Sequence, residues 1–145
     1  MTKKDAIEQL RKAKLGHKKW ISYAKAIHMG IPLKKESLPV IETECDFGKW
    51  YYKDGQVFSD IESYKAIEEP HSILHNTYMK LYISMNEPLE SGLFVSKSKA
   101  QRKRSKELNE LMDKLLQISD VLINNINQFE MEIKEMPDDE FEKLQ

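Results

Sequence analysis

Hydrophobic positions recur every three or four residues along three long segments of the chain, the spacing of one face of an α-helix. The first segment begins at Thr2, where Asp5 three residues on resembles a capping box, and it ends near Gly30 and Pro32. Its apolar face carries Leu10, Ala13, His17, Trp20, Ile21, Ala24 and Ile27. His17 therefore occupies a position where a helical bundle normally places an apolar side chain.

A short second helix is predicted within the aromatic stretch "ECDFGKWYYKDG", residues 44–55. Thr43 with Asp46 can cap its start and Gly55 can end it, which puts Cys45 at about its second position. Phe47, Trp50 and Tyr51 can anchor this helix in the core, and Gly48 leaves room for another helix to approach closely.

A third helix is predicted to begin at Ser59 and Glu62, which match a capping box more closely than Thr2 and Asp5 do. Its apolar face carries Tyr64, Ile67, His71, Leu74, His75, Tyr78, Tyr82 and Met85. Pro70 removes one backbone hydrogen bond, so we expect a kink or a restart there.

The last predicted helix begins near Lys99 and has a nearly heptad apolar stripe, which also suits packing against a second chain. The stripe consists of Leu108, Leu111, Leu115, Ile118, Leu122, Ile126, Phe129 and Ile133. The pattern predicts an all-α protein, most simply a four-helix bundle with a short second helix and a long C-terminal helix. We expect one domain over residues 1–135, followed by a frayed acidic tail at 136–145.

Composition narrows the class of protein. A chain of 145 residues with 40 % hydrophobic residues suits one compact domain. The net charge of -1 argues against a general binder of nucleic acid or of membrane surfaces. No apolar run approaches a membrane span or a signal-peptide core, so we expect a cytoplasmic protein without membrane insertion. One cysteine cannot form a disulfide within the chain.

His71 and His75 stand four residues apart, so both face the same side of a helix and can close on one metal ion. Alternatively, each buried imidazole hydrogen-bonds a backbone carbonyl or a tyrosine. The pair alone favours neither interpretation.

His17 shifts the balance towards metal, because it is a third imidazole on a core face. His28 cannot share its ion, since eleven residues at about 1.5 Å each separate them by roughly 16 Å along the helix. His28 lies in the last helical turn, where an imidazolium suits the helix dipole and faces water. We interpret His28 as structural and His17 as the third ligand.

Cys45 is the fourth candidate ligand. Near the start of a helix its sulfur feels the positive end of the dipole, which favours the metal-binding thiolate. The alternative is a small buried hydrophobic side chain, the usual environment of a free cysteine.

Three imidazoles and one thiolate form a complete tetrahedral set for one Zn²⁺ per chain. A closed site leaves no position for a substrate water, which favours a structural or sensing ion over an enzyme. Glu68 or Glu69 would be the nearest general base for catalysis, but "HSILH" lacks the glutamate of the metalloprotease motif "HExxH". A hemerythrin-like diiron bundle would need more histidine and carboxylate ligands than the core faces carry.

These residues resemble a known family. His17 with Trp20, then "CDFGKWYY" with Gly55, then "EEPHSILH", are similar to the bacterial chemoreceptor zinc-binding domain, over roughly residues 5–85. The resemblance implies a four-helix bundle, often homodimeric, that holds one zinc ion through His17, Cys45, His71 and His75. One departure is Gly16, where many relatives carry an acidic residue and which can alter the surroundings of His17.

Members of this family are cytoplasmic sensory modules of chemoreceptors and diguanylate cyclases that respond to zinc or, through the cysteine, to hypochlorous acid. The resemblance thus implies a sensory or regulatory protein, here expected to stand alone and to signal through a partner or a homodimer. The alternative is a protein-binding module in which zinc only staples the fold. The basic run "KSKAQRKRSK" can dock an acidic partner or nucleic acid, but the balanced total charge favours a solvated face.

Overall fold

The computed structural model describes residues 1–32, 34, 35 and 38–145, and these residues are mostly helical. The elements in chain order are α1 (Lys3–His28), α2 (Asp46–Tyr51), a 3-10 helix (Asp54–Phe58), α3 (Glu62–Lys65), α4 (Glu68–Asn86), α5 (Lys97–Glu135) and α6 (Asp138–Glu142). Within these ranges there is no β-strand. The prediction of an all-α protein with a short second helix and a long helix near the C-terminus is confirmed.

The three long helices α1, α4 and α5 pack against one another and enclose the core. The predicted capping box at the start of α1 is present, because the Thr2 hydroxyl accepts from the Asp5 N–H at 3.1 Å and the Asp5 carboxylate accepts from the Thr2 N–H at 2.9 Å. The buried face of α1 consists of Ala6, Leu10, Ala13, His17, Ile21, Ala24 and Ile27. The helical spacing of the sequence therefore places His17 inside the bundle.

Helix α5 has 39 residues, which at about 1.5 Å per residue makes it roughly 58 Å long. It begins at Lys97, where the Ser96 hydroxyl accepts from the Lys99 N–H at 3.2 Å. Its fully buried residues include Leu115, Leu122, Ile126, Phe129 and Ile133, all in the predicted stripe. In the described part of the chain, no helix combines the length and the apolar character needed to cross a membrane.

The third predicted helix is two helices in the structure. Helix α3 is a single turn, and α4 restarts at Glu68 with Pro70 in its first turn, where proline costs little. The expected restart is confirmed, but the capping box at Ser59 and Glu62 was wrong. Ile61 precedes α3 without a side-chain cap, and Ser59 instead ends the 3-10 helix.

The expectation of a frayed C-terminal end was also wrong. Residues 138–142 form α6, and Phe141 is 4 % exposed with its ring 5.7 Å from that of Phe58. Lys3 fastens this segment to the start of α1 by pairing with Asp138 at 3.0 Å and with the Met136 carbonyl. One aromatic side chain among acidic ones is enough to dock the segment, because burying a phenylalanine contributes about 2 kcal/mol.

Candidate metal centre

The structure brings together the four residues that the sequence proposed as ligands. His17 comes from α1, Cys45 from the residue before α2, and His71 and His75 from α4. One ligand atom from each lies within 4.8 Å of the others. All four side chains are buried, with exposures between 0 % and 9 %. His28 lies outside the cluster, as predicted.

Helical phase positions the three imidazoles. His71 and His75 are one turn apart on α4, and their ring centroids are 4.8 Å apart. His17 reaches the pair from α1, with its ring centroid 4.9 Å from that of His71. Each of these ring pairs is nearly perpendicular, at 90° and 87°, so the rings meet edge to face.

Cys45 is the N-cap of α2, and its predicted place at the second helical position was wrong. Its Sγ accepts a hydrogen bond from the Gly48 N–H at 3.2 Å, as a capping oxygen would, and lies 3.3 Å from Nε2 of His71. The cap that the sequence assigned to Thr43 therefore belongs to the cysteine. A helix start thus holds the sulfur at the cluster.

Gly48 makes this placement possible. A Cβ atom at Gly48 would lie 1.7 Å from the carbonyl oxygen of Glu42, so only glycine fits. The sequence predicted a close approach here by another helix, but the approaching backbone is that of the segment preceding Cys45. The glycine lets that segment fold back tightly over the first turn of α2.

Backbone carbonyls orient two of the imidazoles. His17 donates from Nδ1 to the Ala13 carbonyl at 2.7 Å, and His75 donates from Nδ1 to the Val40 carbonyl at 2.8 Å. When Nδ1 carries the proton, the lone pair is on Nε2. Both rings are therefore held in the tautomer that can bind a metal through Nε2.

Three imidazole nitrogens in the cluster lack a hydrogen-bond partner among the described residues. They are Nε2 of His17, Nδ1 of His71 and Nε2 of His75, and all three are buried. An unsatisfied buried polar atom costs about 1–3 kcal/mol, so three within one cluster are unfavourable for a purely structural role. The alternative in which carbonyls or tyrosines satisfy the rings accounts for one nitrogen of His17 and one of His75 and leaves these three unexplained.

Burial keeps the histidines neutral. It lowers the pKa of His17 to about 4 and that of His71 to about 2, and it also lowers the pKa of His75. Neutral imidazole is the form that binds metal. Burial also raises the pKa of Cys45 and outweighs the N–H groups of Gly48 and Phe47, which lower it. The N–H groups at the helix start favour thiolate, as the sequence predicted, but burial outweighs them, so deprotonation needs a nearby cation.

A comparison with protein-family models supports the interpretation of the cluster as a metal site. Residues 17–82 match the chemoreceptor zinc-binding domain. The resemblance inferred from the sequence is confirmed over this segment, which runs from His17 almost to the end of α4 and includes all four clustered residues. Comparisons with curated proteins and with solved structures found no match.

Three imidazoles and one thiolate form a donor set that suits zinc, the ion named in the description of the matched family. Zinc–nitrogen bonds of about 2.0 Å and zinc–sulfur bonds of about 2.3 Å give a tetrahedron with edges of roughly 3.3–3.6 Å. The separation of 3.3 Å between Cys45 and His71 is already at this value, while the widest in the cluster, up to 4.8 Å, must shorten by about 1.2–1.5 Å.

Aromatic side chains surround the four clustered residues. The ring of Phe47 lies 5.1 Å from that of His71 and 5.7 Å from that of His17, and Trp20 lies 5.9 Å from His75. These apolar rings lower the local dielectric constant, which strengthens the bonds of charged groups inside.

Sequence reasoning missed the groups that orient the ligands. The carbonyl of Val40 comes from a loop, and no side-chain pattern identifies which loop carbonyl a histidine will meet. Ala13 is different, because a histidine four residues along a helix is within reach of that carbonyl, so the spacing alone contained this signal.

Proposed function

We propose that this protein is a zinc-binding sensory or regulatory bundle, in which His17, Cys45, His71 and His75 hold one zinc ion. One observation carries the proposal: three buried imidazoles and one thiol converge, with one ligand atom of each within 4.8 Å of the others, and each imidazole has a ring nitrogen without a partner among the described residues. A bound zinc ion would give the cluster its missing electron-pair acceptor, since a tetrahedral ion accepts one lone pair from each ligand.

The signal sensed is zinc itself or an oxidant such as hypochlorous acid. Cys45 is the residue that would respond to oxidant, because a thiolate is oxidised to sulfenic acid under conditions that imidazoles resist. It is also held by the shortest anchor, since α2 has only six residues whereas the histidines stand on helices of 26 and 19 residues. Loss of the sulfur ligand would therefore free the segment around α2 first.

The output is transmitted through a homodimer or a signalling partner, in a cytoplasmic pathway of the bacterial chemotaxis or cyclic-di-GMP type. The family match supports this proposal. We propose no enzymatic activity, because four protein ligands leave zinc no position for a substrate water. Nucleic acid and membrane are not proposed as partners, since the net charge of the chain is -1.

Metal analysis tests the first part of this proposal. Protein purified without added metal is expected to contain one zinc ion per chain, and the Cys45→Ser variant much less. Iron as the dominant metal, or two ions per chain, would contradict the site as described.

The second candidate function is a protein-binding module that uses zinc only to staple its fold. The unsatisfied nitrogens favour it as much as they favour sensing, because both need the ion. Chelation separates the two: a staple unfolds when zinc is removed, whereas a sensor stays helical and changes shape reversibly. Far-ultraviolet circular dichroism before and after chelation, and again after zinc is restored, measures the difference.

Oxidant treatment tests the switch. Mild hypochlorous acid is expected to speed zinc release and to increase hydrogen exchange at residues 44–55 while the long helices remain protected. The control is Cys45→Asp, which keeps an anionic ligand but removes the thiol. If this variant releases zinc on oxidation as readily as the parent, Cys45 is not the switch.

A further inference from the structure

A cavity of about 280 Å³ adjoins the cluster at the side where α1 meets α2. His17 and Cys45 both line it, together with Gly16, Trp20 and Phe47. Gly16 is exposed, so the cavity is open to solvent beside this residue. The cavity could hold about nine water molecules at roughly 30 Å³ each, which is room for a hydrated metal ion.

The other two candidate ligands, His71 and His75, do not line this cavity. The three imidazoles are equally covered, at 0–3 % exposure, and Cys45 is the most exposed of the four residues at 9 %. The cluster therefore comes nearest to solvent at its Cys45 side, where the cavity lies.

Gly16 has no steric reason to be glycine. It lies in the middle of α1, where glycine costs about 1 kcal/mol relative to alanine. A Cβ atom at this position would meet no other atom within 4 Å, whereas one at Gly48 would collide with the backbone. The space beside Gly16 is part of the opening, and a long side chain there has room to extend into it.

We propose that this cavity is the passage through which zinc enters and leaves the site, and that Gly16 keeps it open. Asp46 also lines the cavity, and its exposed carboxylate attracts an incoming cation. Lys12 stands in the same wall, but Glu8 pairs with it at 2.7 Å and reduces its repulsion. This inference rests on the proposed zinc site.

The test compares Gly16→Leu with Gly16→Ala. Both substitutions raise helix propensity, but only leucine fills the opening. Gly16→Leu is expected to slow zinc release to a chelator, and zinc loading of the zinc-free protein, by about tenfold or more, while Gly16→Ala stays close to the parent. Zinc content at saturation is expected to be unchanged at one ion per chain. Ser22→Leu, an exposed position six residues along α1, is the control for an added leucine.

A second measurement does not involve zinc. The rate at which iodoacetamide alkylates Cys45 in the zinc-free protein is expected to fall by a similar factor in Gly16→Leu and to remain near the parental rate in Gly16→Ala. If Gly16→Leu binds zinc and exchanges it at the parental rate, or if it lowers the zinc content at saturation, the passage is refuted. If the parent protein binds no zinc, the proposed function fails instead, and alkylation alone decides whether the cavity leads to Cys45.

Discussion

Two buried polar clusters involve α1, and they differ in how completely the chain satisfies them. In the first, the Glu130 carboxylate of α5 is 4 % exposed and binds three cations, Arg11 at 3.2 Å, Lys134 at 2.6 Å and Lys14. In the second, the metal centre, three ring nitrogens have no partner among the described residues. Burial is nearly equal in the two clusters, so burial alone does not identify a functional site.

The two clusters differ because hydrogen-bonding partners among the described residues can reach Glu130 but do not reach all the ring nitrogens of the imidazoles. Arg11 and Lys134 are 61 % and 43 % exposed, so long side chains reach in from solvent and surround the carboxylate. The three imidazoles are 0–3 % exposed and pack against Phe47 and Trp20, and a group of lone pairs cannot satisfy itself. A cluster completed by its own chain stabilises the fold, whereas one that lacks an electron-pair acceptor requires a ligand.

The largest expected effect is that His71→Leu destabilises the protein when zinc is present but does not destabilise it when zinc is removed. With zinc present, His71→Leu is expected to weaken zinc binding by more than about a hundredfold and to lower the melting temperature, because a ligand is lost. With a strong chelator present, the same variant is expected to be at least as stable as the parent, since leucine removes an unsatisfied polar nitrogen from the core. Thermal unfolding of both proteins, with zinc and with chelator, measures this reversal.

The control for this reversal is Glu130→Leu. It is expected to destabilise the protein with or without zinc, because Lys14 and its neighbours lose a charge-assisted partner. If His71→Leu is destabilising to the same extent in both conditions, the imidazole is a structural element and the contrast between the two clusters is wrong.

The next effect in size is the pH dependence of the Glu130 cluster. Burial by itself raises the pKa of Glu130, but hydrogen bonds from Lys134, Lys14 and Arg11 outweigh it and lower the pKa to about 2. A carboxylate with a lowered pKa in the folded state stabilises that state above its unfolded pKa of about 4.5. Water screens these ion pairs, because two of the three cations are 61 % and 43 % exposed, so the contribution is of the order of 1–2 kcal/mol. It is lost as the pH falls from about 4.5 to about 2.

Glu130→Gln removes the titration with little change of shape. The free energy of unfolding of the parent is expected to exceed that of the variant by a constant amount above about pH 5, and the excess is expected to shrink towards zero near pH 2. Measuring both proteins by denaturant unfolding in identical buffers cancels what they share, including the histidines and zinc. An excess that does not vary with pH would show that the ion pairs do not stabilise the fold.

The two clusters also differ in how far the sequence predicts them. All four residues of the metal centre could be named, because helical phase places His17, His71 and His75 on buried faces and few residue types bind zinc. Glu130 was not identified, since a glutamate beside the apolar stripe of a long helix is usually exposed. Its burial depends on cations from α1, and pairings between distant segments leave no local pattern in the sequence.

Contacts between distant segments also explain why two predictions about the fold were wrong. The Ser59 and Glu62 spacing is correct for a capping box, yet the 3-10 helix that ends at Ser59 takes that residue away from α3. The four acidic residues within 138–142 suggest fraying, yet Phe141 between them is buried in the core against Phe58. Local signals compete with tertiary contacts, and the contacts prevail where one aromatic side chain can be buried.

The smallest expected effect concerns His28, the histidine that belongs to neither cluster. Its Nε2 lies 2.7 Å from the side-chain carbonyl oxygen of Asn109, so it forms a single polar contact between α1 and α5 near the protein surface. His28→Ala is expected to cost less than about 1 kcal/mol of stability and to leave zinc affinity unchanged, because roughly 16 Å of helix separates it from His17. Zinc titration of His28→Ala beside His17→Ala measures this, and an equal loss of zinc affinity in the two variants would mean that the assignment of His17 as the ligand on α1 is wrong.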